Sequence, residues 1–503
     1  MLDAERDASI KAPSISQNGV RSSKEVEYRS GIWELVKKWF DEGIETHGIS
    51  PTTEEERNDT RTYQIFTIWF SSSFNLASLS GGTLGPLLFQ LDLKFSLVII
   101  LLVDAICALA PAYLCMLGPK LGVRTMILSR FSFGYYGAKI PAILNIFTML
   151  GWLILGGIIA AQFLVGVFPS ITVASAIVII ALVAFTISFC GYRLLHQFAT
   201  YAWIPNALLF ITLPAAGARN LTTTPPASLN VTPSQIISFA AAIATFNLTW
   251  TTNALDYTVH HRPNCSGHRI FSYTFLGIFL ASFAWNALGA VLGVFAQVVP
   301  AWGESLGPDG DNFGALIATV LSPAGGFGKF LMVVCFLSLA STGAILLYSF
   351  GLSFMCVSTK FAKVPRYIYS FVGTAIVIPL QIVLSSTLFA TLQDILSLIG
   401  YWTATFTAIV LCEHFIFRKN QCFNYHAENW DNPSILPLGV AATLAFLLSF
   451  AIIIPCMGQT LYTGPVARAG AGDVGIPVGF AAAWSLYTLF RSIECLFTPN
   501  RLG

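Results

Sequence analysis

The stretch "FNLTWTTNALDY", residues 246–257, closes a long apolar run that begins near Ile236. It places two asparagines and three threonines where hydropathy alone would put hydrocarbon-facing side chains. Within a bilayer, polar groups and broken helices are tolerated only where protein or a water-filled cavity satisfies them. The stretch therefore predicts a membrane helix that is interrupted beside a cavity, and not a plain transmembrane anchor.

The composition of the whole chain identifies the class of protein around this stretch. Of its 503 residues, 55% are hydrophobic and only 10% are charged, whereas charged residues make up about 25% of an average soluble domain. Apolar segments of about 20 residues, the length that a helix needs to cross a bilayer, recur along the chain. The chain is therefore predicted to be an all-α polytopic membrane protein.

Hydropathy predicts about 12 transmembrane helices, which we number as spans one to twelve. Their approximate bounds are 65–89, 95–117, 140–167, 173–190, 198–217, 234–256, 270–299, 328–357, 366–385, 389–413, 435–457 and 474–492.

Lysine and arginine in the short loops predict the orientation of these spans. They concentrate in the loops on the side of the amino terminus, such as the loop with Lys120, Arg124 and Arg130 between spans two and three. Both termini are therefore expected in the cytoplasm, as tails of residues 1–62 and 493–503.

Two further features bear on the surfaces outside the bilayer. Asn220 and Asn230 begin N-x-S/T sequons in the loop between spans five and six, which this orientation places outside, so both are glycosylation candidates. In the amino-terminal tail, residues 31–45 carry apolar side chains on one helical face and charged ones on the other, which predicts an interfacial helix.

A second interruption, "NLASLSGGTLGP" at 75–86, lies five spans before the first. Ser78, Ser80, Gly81 and Gly82 are expected to weaken span one near its middle. Some transporters are built from two five-helix inverted repeats, and the first helix of each repeat is broken at the substrate site.

That spacing predicts two repeats, 63–217 and 234–413, followed by two additional helices in 435–492. Spans three and eight are then equivalent, and both contain small residues, in "GWLILGG" (151–157) and "SLASTGA" (338–344). Such residues either allow close helix packing or line a cavity. Their occurrence at equivalent positions favours the cavity.

Asp104 in span two and Asp394 early in span ten are acidic residues that lie inside predicted spans. Acidic side chains are costly in lipid and mark functional sites by default, so both are candidates for proton coupling. For Asp394, a position at the outer interface is the alternative.

Other classes of function find little support. No nucleophile, base or metal-ligand grouping appears at a useful spacing and no P-loop is present, so neither an enzyme nor an ATP-driven pump is indicated. The ten scattered cysteines and the net charge of +2 indicate no metal, no cofactor and no nucleic-acid partner.

Several sequence motifs of the chain together resemble those of the fungal purine–cytosine permease branch of the nucleobase–cation symporter family. The resemblance extends over about residues 30–495 and rests on "LGPKLGVRTMILSRFSFGYYGAKIPAILNIFTMLGW" (117–152), "IGYW" (399–402), "EHFIFR" (413–418) and "GPVARAGAGDVG" (464–475). It implies the five-plus-five inverted-repeat symporter fold with two additional C-terminal helices. It also implies uptake of a small heterocyclic substrate with a proton across the plasma membrane.

The resemblance also implies site residues. In the family the nucleobase is stacked between tryptophans of spans three and six, which fall on Trp152 and Trp250, and a span-one serine falls on Ser78. The family's asparagines in spans three and eight are replaced by Gly156 and Leu346. Each lost amide is expected to cost about 1–3 kcal/mol in binding a polar ring.

Other groups are expected to compensate in part. Asn247, Thr249 and Asn253 offer hydrogen bonds from span six, and Gly81 allows the backbone of span one to approach the substrate. The leading hypothesis is proton symport of a purine, cytosine or analogue by alternating access. Because the wall at Gly156 and Leu346 is roomier, alternatives remain: a vitamin B6 vitamer, a specialised-metabolite heterocycle, or a non-transporting nutrient sensor.

Overall fold

The computed structural model describes residues 50–189, 203–221, 231–308, 310–358, 360–361, 364, 366–498 and 501. These residues lie in one unit formed by residues 46–503. The predicted interfacial helix at 31–45 and the sequon at Asn230 lie outside the described residues.

Helices account for every predicted span. Span one has two helices, Tyr63–Ser73 and Leu76–Leu87, and spans two to five contain Leu93–Cys115, Lys139–Val167, Val173–Phe189 and Trp203–Gly217. Spans six to nine contain Pro233–Leu248, Gly267–Val298, Gly325–Val357 and Arg366–Leu384, and spans ten to twelve Leu388–Cys412, Val440–Ile453 and Gly475–Phe497. Among the described residues, six helices are long and apolar enough to cross a bilayer by length and composition, namely those within 93–121, 139–167, 267–298, 322–357, 367–384 and 388–417.

The spans pack in two groups. Span seven packs against both halves of span one and against span two, and span six packs against span two. Span eight packs against spans three, four and nine, which also contact one another. We call spans one, two, six and seven the bundle, and spans three, four, eight and nine the scaffold.

Close approach of spans one and seven depends on glycine. A Cβ atom on Gly82 would overlap the backbone carbonyl of Asn286, and one on Gly289 would overlap the carbonyl of Leu79. Small residues allow two membrane helices to pack backbone to backbone in this way. The glycines of "LSGGTLGP" therefore serve helix packing.

The break in span one lies earlier than the glycines suggested. The first helix ends at Ser73, and Asn75 adopts an extended conformation and caps the second helix, accepting from the backbone N–H groups of Ala77 (3.0 Å) and Ser78 (3.3 Å). The expectation that the chain breaks around residues 78–82 is wrong. A capping asparagine satisfies the amides freed by the break, whereas Gly81 and Gly82 lie within a continuous helix.

Span six breaks where its polar stretch begins. The α-helix ends at Leu248 and continues as two short 3₁₀ turns, Thr249–Thr252 and Ala254–Tyr257. The Thr249 hydroxyl donates to the carbonyl of Thr245 (2.7 Å), and that of Thr252 to the carbonyl of Thr249 (2.9 Å). Each threonine hydroxyl thus bonds back to a carbonyl of the preceding turn, a local contact that competes with regular helical hydrogen bonding.

The far end of span six docks onto the loop between spans two and three. Asp256 Oδ1 accepts from the backbone N–H of Thr125 at 2.8 Å, and Thr125 Oγ1 accepts from the N–H of Leu255 at 3.0 Å. Asp256 therefore caps the short helix Thr125–Leu128 from a neighbouring segment.

Spans ten and twelve meet at a buried charged cluster. Glu413 Oε1 accepts from Arg418 Nε at 2.8 Å. Its Oε2 accepts from the Tyr487 hydroxyl at 2.8 Å and lies 3.4 Å from Arg491 Nε. Arg491 is fully buried and also lies 3.4 Å from Glu494. These charges fix span twelve to the end of span ten.

Candidate substrate site

A cavity lies where the broken part of span one meets the scaffold. Its bundle side is formed by Ser72, Ser73, Asn75, Ala77 and Ser78 of span one, Phe246, Thr249, Trp250 and Asn253 of span six, and Ser282 of span seven. Its scaffold side is formed by one stripe of side chains from each of spans three, four, eight and nine.

The scaffold stripes follow helical spacing. Span three contributes Met149, Trp152, Leu153, Gly156 and Gly157, and span eight contributes Leu339, Thr342, Gly343, Leu346 and Leu347. Both sets follow the pattern i, i+3, i+4, i+7, i+8, which places residues on one helical face. Spans three and eight, equivalent in the predicted repeats, therefore present corresponding faces to the cavity.

Seven of the nine predicted substrate residues line this cavity. They are Ser78, Trp152, Gly156, Thr249, Trp250, Asn253 and Leu346, whereas Gly81 and Asn247 are not among its lining residues. Gly81 instead faces Phe246 and Asn286, since a Cβ there would lie 2.5 Å from the Phe246 ring and 3.4 Å from Asn286 Oδ1.

Neighbouring aromatic rings fix both tryptophans. The ring centroids of Trp152 and Phe246 lie 5.4 Å apart at an interplanar angle of 57°. Trp250 meets Trp69 edge-on at 5.4 Å, and Trp69 in turn meets Tyr257 at 4.9 Å. Such pairs favour one orientation of each ring, so the cavity presents preoriented aromatic surface to a flat ligand.

The wall at Gly156 is open. A Cβ atom on Gly156 would find nothing within 4 Å, whereas one on neighbouring Gly157 would overlap the amide of Gln381. The structure thus has room for a larger side chain, or for part of a ligand, at the position where the family resemblance implies an asparagine.

Three hydrogen-bonding groups of the bundle reach this space. Asn253 Oδ1 accepts from the Thr252 hydroxyl at 3.1 Å, and the Thr249 hydroxyl keeps its oxygen as an acceptor after donating to Thr245. The Ser78 side chain adds a hydroxyl at the start of the second helix of span one. These groups offer both donors and acceptors to a polar ring edge.

Gln381 in span nine is a cavity residue that sequence reasoning missed. Its Nε2 donates to the Leu153 carbonyl at 2.7 Å, and its Oε1 is buried without a hydrogen-bond partner among the described residues. An amide in the otherwise apolar run "IVIPLQIVL" (376–384) was the available signal. The side chain fixes span nine to the face of span three that lines the cavity.

Asn247 makes contacts on another side of span six. Its Nδ2 donates to Asp104 Oδ1 at 2.8 Å, and its Oδ1 accepts from the Ser282 hydroxyl at 2.8 Å. Asn286 Nδ2 donates to the other carboxylate oxygen of Asp104 at 3.1 Å. Asp104 is fully buried among these amides.

Asp394 has a different environment. Its carboxylate accepts from the backbone N–H of Thr460 at 2.8 Å and from the Thr460 hydroxyl. It thereby fixes the segment after span eleven to the start of span ten, and it does not line the cavity. Among the residues that the structure describes, no group of three or more His, Cys, Asp or Glu side chains could hold a metal ion.

Comparison with known proteins identifies the family. The profile described as "Permease for cytosine/purines, uracil, thiamine, allantoin" matches residues 51–472. The chain belongs to this family. A purine-cytosine permease of Emericella nidulans, fcyB, is 32% identical over 457 residues, which cover 90% of this chain and 89% of the relative.

Two further similarities concern another relative and the fold. The vitamin B6 transporter TPN1 of Saccharomyces cerevisiae is 26% identical over 517 residues, which cover 92% of this chain and 89% of TPN1. The nucleobase-cation-symport-1 family transporter Mhp1 has the same fold, with TM-scores of 0.66 in a closed conformation with bromovinylhydantoin bound and 0.68 in an inward-facing conformation. At 15% and 14% identity these structures cover 91% and 90% of this chain, and 96% of Mhp1 in each case. The predicted family and fold class are confirmed.

Proposed function

We propose that this permease imports a nucleobase-like heterocycle, a purine, cytosine or close analogue, together with a proton. Trp152 and Trp250 stack on the faces of the ring, while Ser78, Thr249 and Asn253 bind its polar edge. The bundle rocks against the scaffold, opening the cavity to each side of the membrane in turn.

The observation that carries this proposal is the placement of the cavity. It lies between the bundle and the scaffold, beside the breaks in spans one and six, and two tryptophans and Phe246 supply its aromatic surface. A flat heterocycle suits aromatic side chains because stacked rings gain about 0.5–1.5 kcal/mol beyond the burial of their area.

The cavity at Gly156 supports a substituted ring as the alternative cargo. The open space there and the apolar Leu346 would admit a substituent where an asparagine would otherwise stand. The similarity to a vitamin B6 transporter is compatible with this variant, but its 26% identity is lower than the 32% of the purine-cytosine permease. A purine or cytosine analogue is therefore the first choice.

The proposal also covers the location of the protein in the cell, its orientation and its repeats. We place the protein in the plasma membrane with both termini in the cytoplasm, and we assign the repeats to residues 63–217 and 234–413, with 435–492 as additional helices. Asn220, in the turn after span five, is then extracellular and remains a glycosylation candidate.

Uptake in a yeast strain lacking its own purine, cytosine and vitamin B6 permeases tests the proposal. We expect radiolabelled cytosine, adenine or hypoxanthine to enter faster with this chain than with an empty vector, and faster at acidic external pH. If pyridoxine alone enters, the substituted-ring variant replaces the first choice. If none of the four accumulates, the proposed substrate class is wrong.

A further inference from the structure

Asp104 is a fully buried carboxylate at the centre of the bundle. Its two oxygens accept from Asn247 Nδ2 (2.8 Å) and Asn286 Nδ2 (3.1 Å), which come from spans six and seven. Among the described residues no lysine, arginine or histidine forms an ion pair with it. An ionised carboxylate here is held by neutral donors alone, and a buried charge without a counter-charge is costly.

The groups facing this carboxylate from every packed helix are neutral. Spans six and seven present Asn247 and Asn286, and the second helix of span one packs nearby through Gly81 and Gly82. The titratable neighbour is the thiol of Cys107, one turn along the same helix. Addition of a proton would therefore remove the net charge of this part of the bundle.

Asn286 can form a hydrogen bond with Asp104 whether the carboxyl group is ionised or protonated. Its Oδ1 is buried and has no hydrogen-bond partner among the described residues, while its Nδ2 donates to Asp104 Oδ2. A carboxamide can offer either an N–H donor or a carbonyl acceptor. A half-turn of the Asn286 amide would bring Oδ1 to the position of Nδ2, where it can accept from a protonated carboxyl.

A hydrogen-bonded connection joins the carboxylate to the cavity. Ser282 lines the cavity and its hydroxyl donates to Asn247 Oδ1 at 2.8 Å. Asn247 Nδ2 in turn donates to Asp104 Oδ1. A ligand that contacts Ser282 therefore acts on the amide that holds the carboxylate. Asp394 has no such connection, because its carboxylate is bound by Thr460 in a segment outside the cavity.

We propose that Asp104 is the proton-binding site of the transport cycle and that Asn247 and Ser282 link it to the substrate cavity. This proposal rests on the proposed proton symport. In the outward-open state one proton from water adds to the carboxylate, giving a neutral carboxyl that donates to Asn286 Oδ1. In the inward-open state the same O–H bond breaks, and the proton passes to water on the cytoplasmic side.

The test compares two matched substitutions in proteoliposomes, Asp104→Asn and Asp394→Asn, with radiolabelled cytosine or whichever substrate the yeast panel identifies. A one-unit pH gradient supports about a tenfold accumulation per proton, since tenfold corresponds to about 1.4 kcal/mol. We expect Asp104→Asn to reduce the accumulation ratio to about one while retaining exchange of internal for external substrate. Asp394→Asn is expected to keep the accumulation driven by the gradient.

Retained pH-driven accumulation in Asp104→Asn would overturn this assignment and leave the proposed symport intact. If the wild-type protein itself ignores the pH gradient, the proposed proton symport fails and this assignment fails with it. Ser282→Ala tests the link separately and is expected to lower the accumulation ratio. An unchanged ratio in Ser282→Ala would show that the link to the cavity is absent.

A measurement on the unsubstituted protein covers the case in which Asp104→Asn does not fold. Dicyclohexylcarbodiimide reacts with protonated carboxyls in apolar surroundings, and mass spectrometry locates the product. We expect Asp104 to be labelled more strongly as the pH falls, and we expect bound substrate to change the extent of this labelling. Labelling of Asp394 without labelling of Asp104 would contradict the proposal.

Discussion

Trp69 and Trp250 meet edge-on, with ring centroids 5.4 Å apart and an interplanar angle of 80°. Trp69 is fully buried in the first helix of span one, and Trp250 lies in the first 3₁₀ turn of span six. Trp69 is not among the cavity-lining residues, whereas Trp250 is. The broken helices of the two repeats are thus joined by a pair of rings, only one of which is available to a ligand.

This relationship predicts an effect of a residue outside the cavity. Trp69→Leu is expected to raise the KM for the transported heterocycle by about two- to tenfold, because an aromatic pair is worth about 0.5–1.5 kcal/mol beyond burial and its loss frees the Trp250 ring. Initial uptake rates against substrate concentration measure the effect. An unchanged KM at normal surface expression would show that Trp69 does not hold Trp250 in place.

Trp250 itself is expected to need an aromatic ring. Trp250→Ala should abolish uptake without preventing delivery to the cell surface, since the stacking surface disappears. Trp250→Phe should retain a measurable part of the uptake, because a smaller ring still stacks. Both variants are compared by uptake normalised to surface protein, and equal activity of the alanine variant and the wild type would remove Trp250 from the site.

The neighbouring glycines of span three give a matched pair of substitutions. Gly156→Asn places an amide in open space and is expected to lower the KM for cytosine or adenine by about tenfold, the gain from one hydrogen bond to a buried polar group. Gly157→Asn is the control and should impair uptake, because its Cβ would overlap the Gln381 amide. If the two variants behave alike, Gly156 and Gly157 do not differ in the space available beside them.

The buried charges of spans ten and twelve predict a stability effect. Glu413→Ala leaves Arg418 and Arg491 without their shared carboxylate and is expected to reduce the free energy of unfolding by about 3–5 kcal/mol. Glu54→Ala is the control, since the Glu54 side chain is exposed and lies 3.6 Å from Arg57, and ion pairs of an exposed carboxylate contribute about 0–1 kcal/mol. Thermal unfolding in detergent compares the two, and a similar small fall in Tm for both would contradict the prediction.

Much of the fold could be predicted from the sequence, because continuous apolar runs and two polar interruptions five spans apart leave few arrangements. The exact break in span one could not. The glycines suggested a break at residues 78–82. Glycines are also needed where two helices pack closely, however, and the chain instead breaks where Asn75 can cap the freed amides.

The site could be predicted residue by residue only in part, because hydropathy does not identify which face of a helix lines a cavity. In span six the lining residues Phe246, Thr249, Trp250 and Asn253 follow the spacing i, i+3, i+4, i+7. Asn247 departs from that spacing and contacts Asp104 instead. Applying the spacing to the sequence would have separated the two groups.

In transport by alternating access, a single protein binds the substrate in its cavity and uses the proton gradient across the membrane to drive uptake. The most direct measurement uses the purified chain in liposomes, an acidic exterior and a radiolabelled heterocycle from the yeast panel. We predict accumulation above the external concentration, which a protonophore abolishes. Binding of the heterocycle without any flux would contradict transport and identify the chain as a sensor.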